Sequence, residues 1–238
     1  MSISTDPDRI PAARGWEVLP VFRPREFSKD YLKALEDLEK DTELRGHSDV
    51  GVRNLLFVLI LSLKPERVLE IGGHIGSGTL VMAEALRLNG FGRLITLEPE
   101  DHFHARLSHY VEKARFSQIV DPVKALSTDQ ELQARFKREG LFDLVFVDAC
   151  HGFATAKRDI VIAFDHLAEN GIIVLHDTSH YAQSFDETKE GGVRRALIEA
   201  STEKLDLHAL FLEYPFWLND CGAALAIKQR ISSDAPTP

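Results

Sequence analysis

The chain has 238 residues, 44% of them hydrophobic and 27% charged, with a formal net charge of −9. That length suits one large domain or a domain with an extension. The acidic balance disfavours general binding to nucleic acid or to an anionic membrane, both of which need a basic face. Two cysteines, Cys150 and Cys221, are too few for a disulfide framework or a zinc cluster and suit a reducing compartment. The polar start MSISTDPDR has no apolar signal segment. The longest apolar run, LLFVLILSL from Leu55, is shorter than the roughly 20 residues that span a membrane. A cytoplasmic protein is expected, with no membrane and no nucleic-acid partner.

Residues up to about Pro24 contain several prolines and little periodicity, and read as an arm. From Phe27, apolar residues at Tyr31, Leu35 and Leu38 with charges between them predict an amphipathic helix. His47 to Asp49 (HSD) offer caps for a further helix through about Leu63, stopped by Pro65. Strands and helices then alternate. RVLEI leads through a glycine turn to a helix ending at Asn89-Gly90, and RLITLE leads through Pro99 to a helix through about Phe116. A short strand near 119–123 precedes a helix through Arg138, and FDLVFVD precedes a helix ending near Ala168. Asn170-Gly171 opens the strand IIVLHD, and residues 192–202 form another helix. LHALFLEY and GAALAIK close the chain as two strands with no helix between them.

Strands separated by helices imply βαβ units and a mostly parallel sheet, and the near-continuous apolar strands LVFV and IIVL fit a sheet covered on both faces. The final pair should be an antiparallel hairpin. The division expected is an arm and helix over 1–46, a main domain over 47–230, and a disordered tail over 231–238.

The stretch EIGGHIGSGT, from Glu70 to Thr79, is the first chemical signal. A dinucleotide fingerprint needs G-x-G-x-x-G so that a helix N-terminus meets the pyrophosphate. Gly72, Gly73, Gly76 and Gly78 give that spacing in no register. They give acid-x-Gly-x-x-x-Gly instead, led by Glu70. An acid there repels a pyrophosphate but pairs with an ammonium group, either directly or by fixing the loop that presents backbone acceptors. Glu98, ending the second strand, stands where an acid can take both hydroxyls of a ribose. Together they describe a site for a cationic nucleoside without phosphate, and S-adenosylmethionine fits.

From about His47 to Arg230 the sequence resembles the class I S-adenosylmethionine-dependent methyltransferases. Among them it is similar to the catechol-type, small-molecule O-methyltransferases and to bacterial enzymes acting on sugars or natural products. VLEIGGHIGSG, RLITLEPE, FDLVFVDACH and GIIVLHDTSH carry the likeness, with His74 replacing the middle glycine of the commoner loop. The resemblance implies a Rossmann-like, doubly wound, mostly parallel seven-stranded sheet ending in an antiparallel hairpin, with an N-terminal helical extension. It assigns Glu70, Gly72, Gly73, His74, Gly76 and Gly78 to the methionine end of the cofactor and its loop. It assigns Glu98 to the ribose, Pro99 and Ser127 to the adenine side, and Asp148 to cofactor or metal.

In the catechol-type enzymes the acids ending the fourth and fifth strands bind a divalent metal, which implies Asp148 and Asp177 here, for Mg2+ or another divalent cation. The next residue is often an amide, but here it is Thr178; His176, before Asp177, is a substitute ligand or a polar neighbour. The catalytic lysine of those enzymes is replaced by His151, whose ordinary pKa near neutrality suits a base. Each residue also has an ordinary role open to it: His151 as a solvated loop residue, His176 as hydrogen-bonded structure, Asp177 as a turn former.

The resulting expectation is O-methylation of a small molecule, with Asp148 and His151 as catalytic residues. Three rivals stand beside it: a metal-independent methyltransferase using His151, an NAD-dependent oxidoreductase, and a non-catalytic binding protein of the same fold. Tyr181, Phe185, Phe216 and Trp217 can wall the acceptor site, or pack on each other or on a second subunit, which leaves a homodimer open.

Overall fold

The computed structural model describes residues 27–42, 48–203, 205–213 and 221–228. The arm, the tail, His47, Phe216 and Trp217 lie outside them. The first helix, α1 (Lys29–Glu39), is capped by Ser28, whose Oγ accepts the Tyr31 N–H, and it buries Tyr31, Ala34 and Leu38. α2 (Val50–Leu63) starts at Asp49, whose Oδ1 accepts the Val52 N–H at 2.9 Å. Such a cap stabilises a helix by about 1 kcal/mol. α2 ends at Lys64 in a left-handed conformation, before Pro65.

The alternation that follows is β1 (Arg67–Ile71), α3 (Ser77–Asn89), β2 (Arg93–Leu97), α4 (Asp101–Lys113), β3 (Val120–Val123), α5 (Gln130–Glu139), β4 (Phe142–Val147), α6 (Phe153–Asp165), β5 (Leu167–His176), α7 (Gly192–Glu203), β6 (Leu207–Leu212) and β7 (Ala223–Lys228). The seven strands form one sheet in the order β3-β2-β1-β4-β5-β7-β6. β3, β2, β1, β4 and β5 are mutually parallel, and β7 runs antiparallel to both β5 and β6. The expected antiparallel pair is present, with its second strand inserted next to β5.

Two helix ends fall short of the sequence expectation, α4 stopping at Lys113 rather than about Phe116, and the start of β5 shows the cause of the other. β5 begins at Leu167, ahead of the Asn170-Gly171 turn signal, and α6 stops at Asp165. Phe142 pairs with Leu167 and Leu144 with Ile172, so a bulge absorbs the extra residues. Gly171 fits there because a Cβ would lie 2.7 Å from Leu167 Cδ1.

The period-2 alternation of the strands sorts the core into two layers. Val68, Leu94, Leu144, Phe146 and Val174 face α1 to α4. Leu69, Ile71, Ile95, Val145, Val147, Ile173 and Leu175 face α5 to α7. Continued past the strand ends, the same parity sends Glu70, Glu98, Asp148 and His176 towards the α2–α3 side. Between β1 and β4 the chain order reverses, and the carboxyl ends of these strands open the crevice where such sheets hold ligands.

Candidate active site

Three glycines in the turn after β1 and the first turn of α3 are dictated by close approaches. Gly72 has φ +97°, and a Cβ there would lie 2.1 Å from the Asp148 carbonyl oxygen, so the loops after β1 and β4 touch at this residue. A Cβ on Gly73 would lie 2.4 Å from Thr96 Oγ1, and one on Gly78 would lie 2.8 Å from Glu70 Oε1. Gly76, at φ +104°, is the N-cap of α3. His74 adopts a left-handed conformation (φ +47°) that glycine would take at no cost, and roughly 1–2 kcal/mol of strain is the usual penalty for a side chain.

Glu70 is 1% exposed, and its Oε2 accepts hydrogen bonds from Thr79 Oγ1 at 2.5 Å and Thr96 Oγ1 at 2.7 Å. Of the two roles open to it from sequence, fixing the loop is the one its partners serve: it ties β1 to β2 and to the first turn of α3. Burial pushes its carboxyl pKa up to about 7. Glu98 holds the turn from the other side. Its Oε2 accepts the His74 N–H at 2.8 Å and its Oε1 accepts the Glu100 N–H at 3.0 Å. Burial raises its pKa too, and each oxygen keeps a lone pair for a further donor.

Two adjoining cavities share Gly72, Pro99, Ala149 and Cys150. One, of about 350 Å³, is also lined by His74, Glu98, Phe103, Asp148 and His151. The other, of about 320 Å³, is lined by Leu97, Leu126, Ser127 and Asp159 among others. The first is flanked by carboxylates and the second is the more apolar. Ser127 Oγ donates to Asp159 Oδ1 at 2.5 Å, so its hydroxyl is already engaged. Glu70, Gly73, Gly76 and Gly78 lie behind the wall, shaping the turn.

At the other end of the first cavity, acids and histidines converge. Asp148 Oδ2 accepts the Ser48 hydroxyl at 2.6 Å, and its Oδ1 lies 3.1 Å from His176 Nδ1. His176, 4% exposed, places its Nε2 3.0 Å from Asp49 Oδ2 and its Nδ1 3.5 Å from Asp177 Oδ2. Burial opposes a charge on His176, but Asp148, Asp49 and Asp177 together raise its pKa well above the ordinary value. Burial likewise opposes ionisation of Asp148, and His176 outweighs it, holding the carboxyl below its usual range. His151 Nε2 stands 2.8 Å from Asp177 Oδ2, and that contact raises the histidine pKa. Asp177 turns towards both histidines through a left-handed backbone (φ +56°).

Among the described residues, two groups could hold a metal ion, each with donor atoms within 4.8 Å of one another: Asp148, His176 and Asp177, and Asp49, His176 and Cys221. Burial and Asp177 push the Cys221 thiol up to about 12.

Residues 69–178 match the family described as "Methyltransferase domain". Over that stretch the chain is similar to methyltransferase domains, in keeping with its resemblance to the class I S-adenosylmethionine-dependent methyltransferases. Its fold is similar to that of the Bacillus cereus O-methyltransferase solved with S-adenosylhomocysteine, with a TM-score of 0.69 at 18% identity over 90% of this chain and 96% of that one. It is also similar to the Streptomyces achromogenes O-methyltransferase TomG solved with S-adenosylmethionine, with a TM-score of 0.68 at 20% identity over 85% and 91%. In sequence it is 31% identical over 121 residues to the O-methyltransferase ankF of Aspergillus thermomutatus, a match covering 49% of this chain and 47% of that relative. The chain spans about half the length of that curated relative. Among the described residues, no helix is long and apolar enough to cross a membrane.

Sequence reasoning did not connect Ser48 and Asp49 with Asp148 and His176, since they lie far upstream and their only local signal is helix capping. Thr96 had a readable signal. It is a hydroxyl at an inward position of the apolar strand RLITL, and such a group needs a buried partner.

Proposed function

We propose that the protein transfers the methyl group of S-adenosylmethionine to a hydroxyl of a small molecule. The observation that carries this reading is the cavity at the carboxyl ends of β1, β2 and β4, with Glu98 at one side and Asp148 and His151 at the other. Glu98 receives the ribose hydroxyls, while Glu70 keeps the turn in shape around the methionine end. Gly72, Gly73, His74, Gly76 and Gly78 supply the turn itself, and Pro99 and Ser127 border the base.

Methyl transfer is an in-line displacement at the sulfonium carbon, so alignment and removal of the acceptor proton are the tasks left to the protein. His151 Nε2 faces Asp177, which leaves Nδ1 as the position that takes a proton from the acceptor hydroxyl. Asp177 orients the ring and offsets the imidazolium charge that forms. Asp148, His176 and Asp177 fit a divalent cation, because two carboxylates and one imidazole bring their donor atoms together in a buried, negatively charged corner. A cation held there would act as a Lewis acid, lowering the acceptor pKa and fixing its oxygens.

A metal-free version has its own supporting observation. The His176 ring lies between Asp148 and Asp49, so an imidazolium can neutralise the acids by itself. Activity in excess chelator separates the two versions. For the cofactor, S-adenosylhomocysteine should raise the melting temperature while NAD(H) does not. No response to S-adenosylhomocysteine would sink the reading.

A further inference from the structure

The geometry points to a cation site with a nitrogen donor, His176 Nδ1, held in position by Asp49, and hence to selection of Mn2+, Co2+ or Zn2+ over Mg2+. This rests on the metal-assisted form of the function proposed above and specifies its cation.

Asp49 is immobilised twice. Its Oδ1 accepts the Val52 N–H at the start of α2, and its Oδ2 lies 3.0 Å from His176 Nε2. A carboxylate fixed in this way keeps a proton on Nε2 and turns Nδ1 inward, the arrangement by which carboxylates orient metal-binding histidines. Nδ1 faces the other two candidate donors, 3.1 Å from Asp148 Oδ1 and 3.5 Å from Asp177 Oδ2. With bonds of about 2.1 Å, neighbouring donors around one ion stand about 3.0–3.4 Å apart, so these spacings suit a shared cation. Ser48 engages Asp148 Oδ2 and thereby leaves Oδ1 for the site.

The chemistry of the set then decides the ion. Oxygen-only sites suit Mg2+ and Ca2+, whereas imidazole raises affinity for first-row transition metals and Zn2+. Asp177 is flanked by His176 and Thr178, so the nitrogen donor beside it in the chain is the His176 imidazole. Three carboxylates around a single buried imidazole also leave excess negative charge for a divalent ion to balance.

The test uses full-length protein stripped with chelator and then titrated with Co2+ and with Mg2+. Co2+ should bind at least tenfold tighter than Mg2+, and proton NMR should show one hyperfine-shifted, exchangeable imidazole N–H, that of His176 Nε2. His176→Asn should abolish that resonance and narrow the Co2+/Mg2+ ratio. Asp49→Asn, which keeps the helix cap, should weaken Co2+ binding by about 10–100-fold, the usual effect of losing such a supporting carboxylate. Equal affinity for the two ions, or a resonance and ratio unchanged in His176→Asn, would overturn the inference. Protein that binds neither ion while S-adenosylhomocysteine still raises its melting temperature would overturn it as well, and would leave methyl transfer standing. Loss of the S-adenosylhomocysteine response in the unmutated protein would instead remove the underlying function.

Discussion

His151 and Asp177 meet at the carboxyl edge of the sheet, with Nε2 2.8 Å from Oδ2, one from the loop after β4 and the other directly after β5. Phe185 packs edge-on against the imidazole at 5.5 Å and Tyr181 against Phe185 at 5.3 Å, so the ring is held from two sides. Of the four aromatics expected as acceptor walls or mutual partners, Tyr181 and Phe185 pack on each other, and Phe185 also braces His151.

His151→Ala should leave S-adenosylhomocysteine affinity within a few-fold and lower turnover by roughly 10²–10⁴, the usual contribution of a general base. Single-turnover kinetics with calorimetry separates the two effects. Full turnover in the variant would return His151 to the role of a loop residue.

Glu98 carries two duties that one substitution can expose. It accepts the backbone N–H groups of His74 and Glu100, and it borders the cavity. Hydrogen bonds to a charged acceptor contribute about 1.5–3 kcal/mol each. Glu98→Ala should therefore weaken S-adenosylhomocysteine binding by at least tenfold in calorimetry and loosen the turn, seen as faster amide exchange at His74. Unchanged affinity would take Glu98 out of the cofactor site.

The legible part of this protein is the part written in periodicity and punctuation. β1 to β4 and their helices follow from apolar alternation, Asn89-Gly90 and Pro99, and Asp148 and Asp177 follow from their place at strand ends. What escaped was set by tertiary approach. Asp49 reads as a cap, and it is one, yet its second oxygen serves a histidine on β5, far along the chain. The start of β5 escaped because a bulge lets Leu167 pair ahead of Asn170-Gly171. Glu70 was legible as an acid at the key turn, but its division of labour with Thr79 and Thr96 depends on β2 lying beside β1.

Gly72 should tolerate no side chain. Its positive φ opposes Gly72→Ala, and so does the Asp148 carbonyl, 2.1 Å from where the alanine Cβ would stand. Gly90, also at positive φ, has open space around it. Gly90→Ala should cost about 1 kcal/mol from backbone strain alone. Gly72→Ala should cost several times more or prevent folding, and any folded protein should lose S-adenosylhomocysteine binding. Equal losses in chemical denaturation would mean that the loops after β1 and β4 can part freely.

Glu70 makes stability depend on pH in the direction opposite to an ordinary paired carboxylate. Its folded pKa is raised by burial from 4.5 to about 7. The folded state therefore binds more protons than the unfolded state between those values, and stability must fall as pH rises through that window. The contribution is fully present below about pH 4.5 and lost above about pH 7, a change on the order of 3 kcal/mol at 1.36 kcal/mol per unit. Glu70→Gln retains an oxygen for the hydroxyls of Thr79 and Thr96 but cannot ionise. Relative to this variant, the natural protein should lose stability between pH 5 and pH 7.5 in urea denaturation. Parallel pH profiles would show that Glu70 is already ionised in the folded protein. A cationic cofactor beside the turn favours the ionised form, so saturating S-adenosylmethionine should shrink the difference between the two profiles and release protons on binding near pH 6.5.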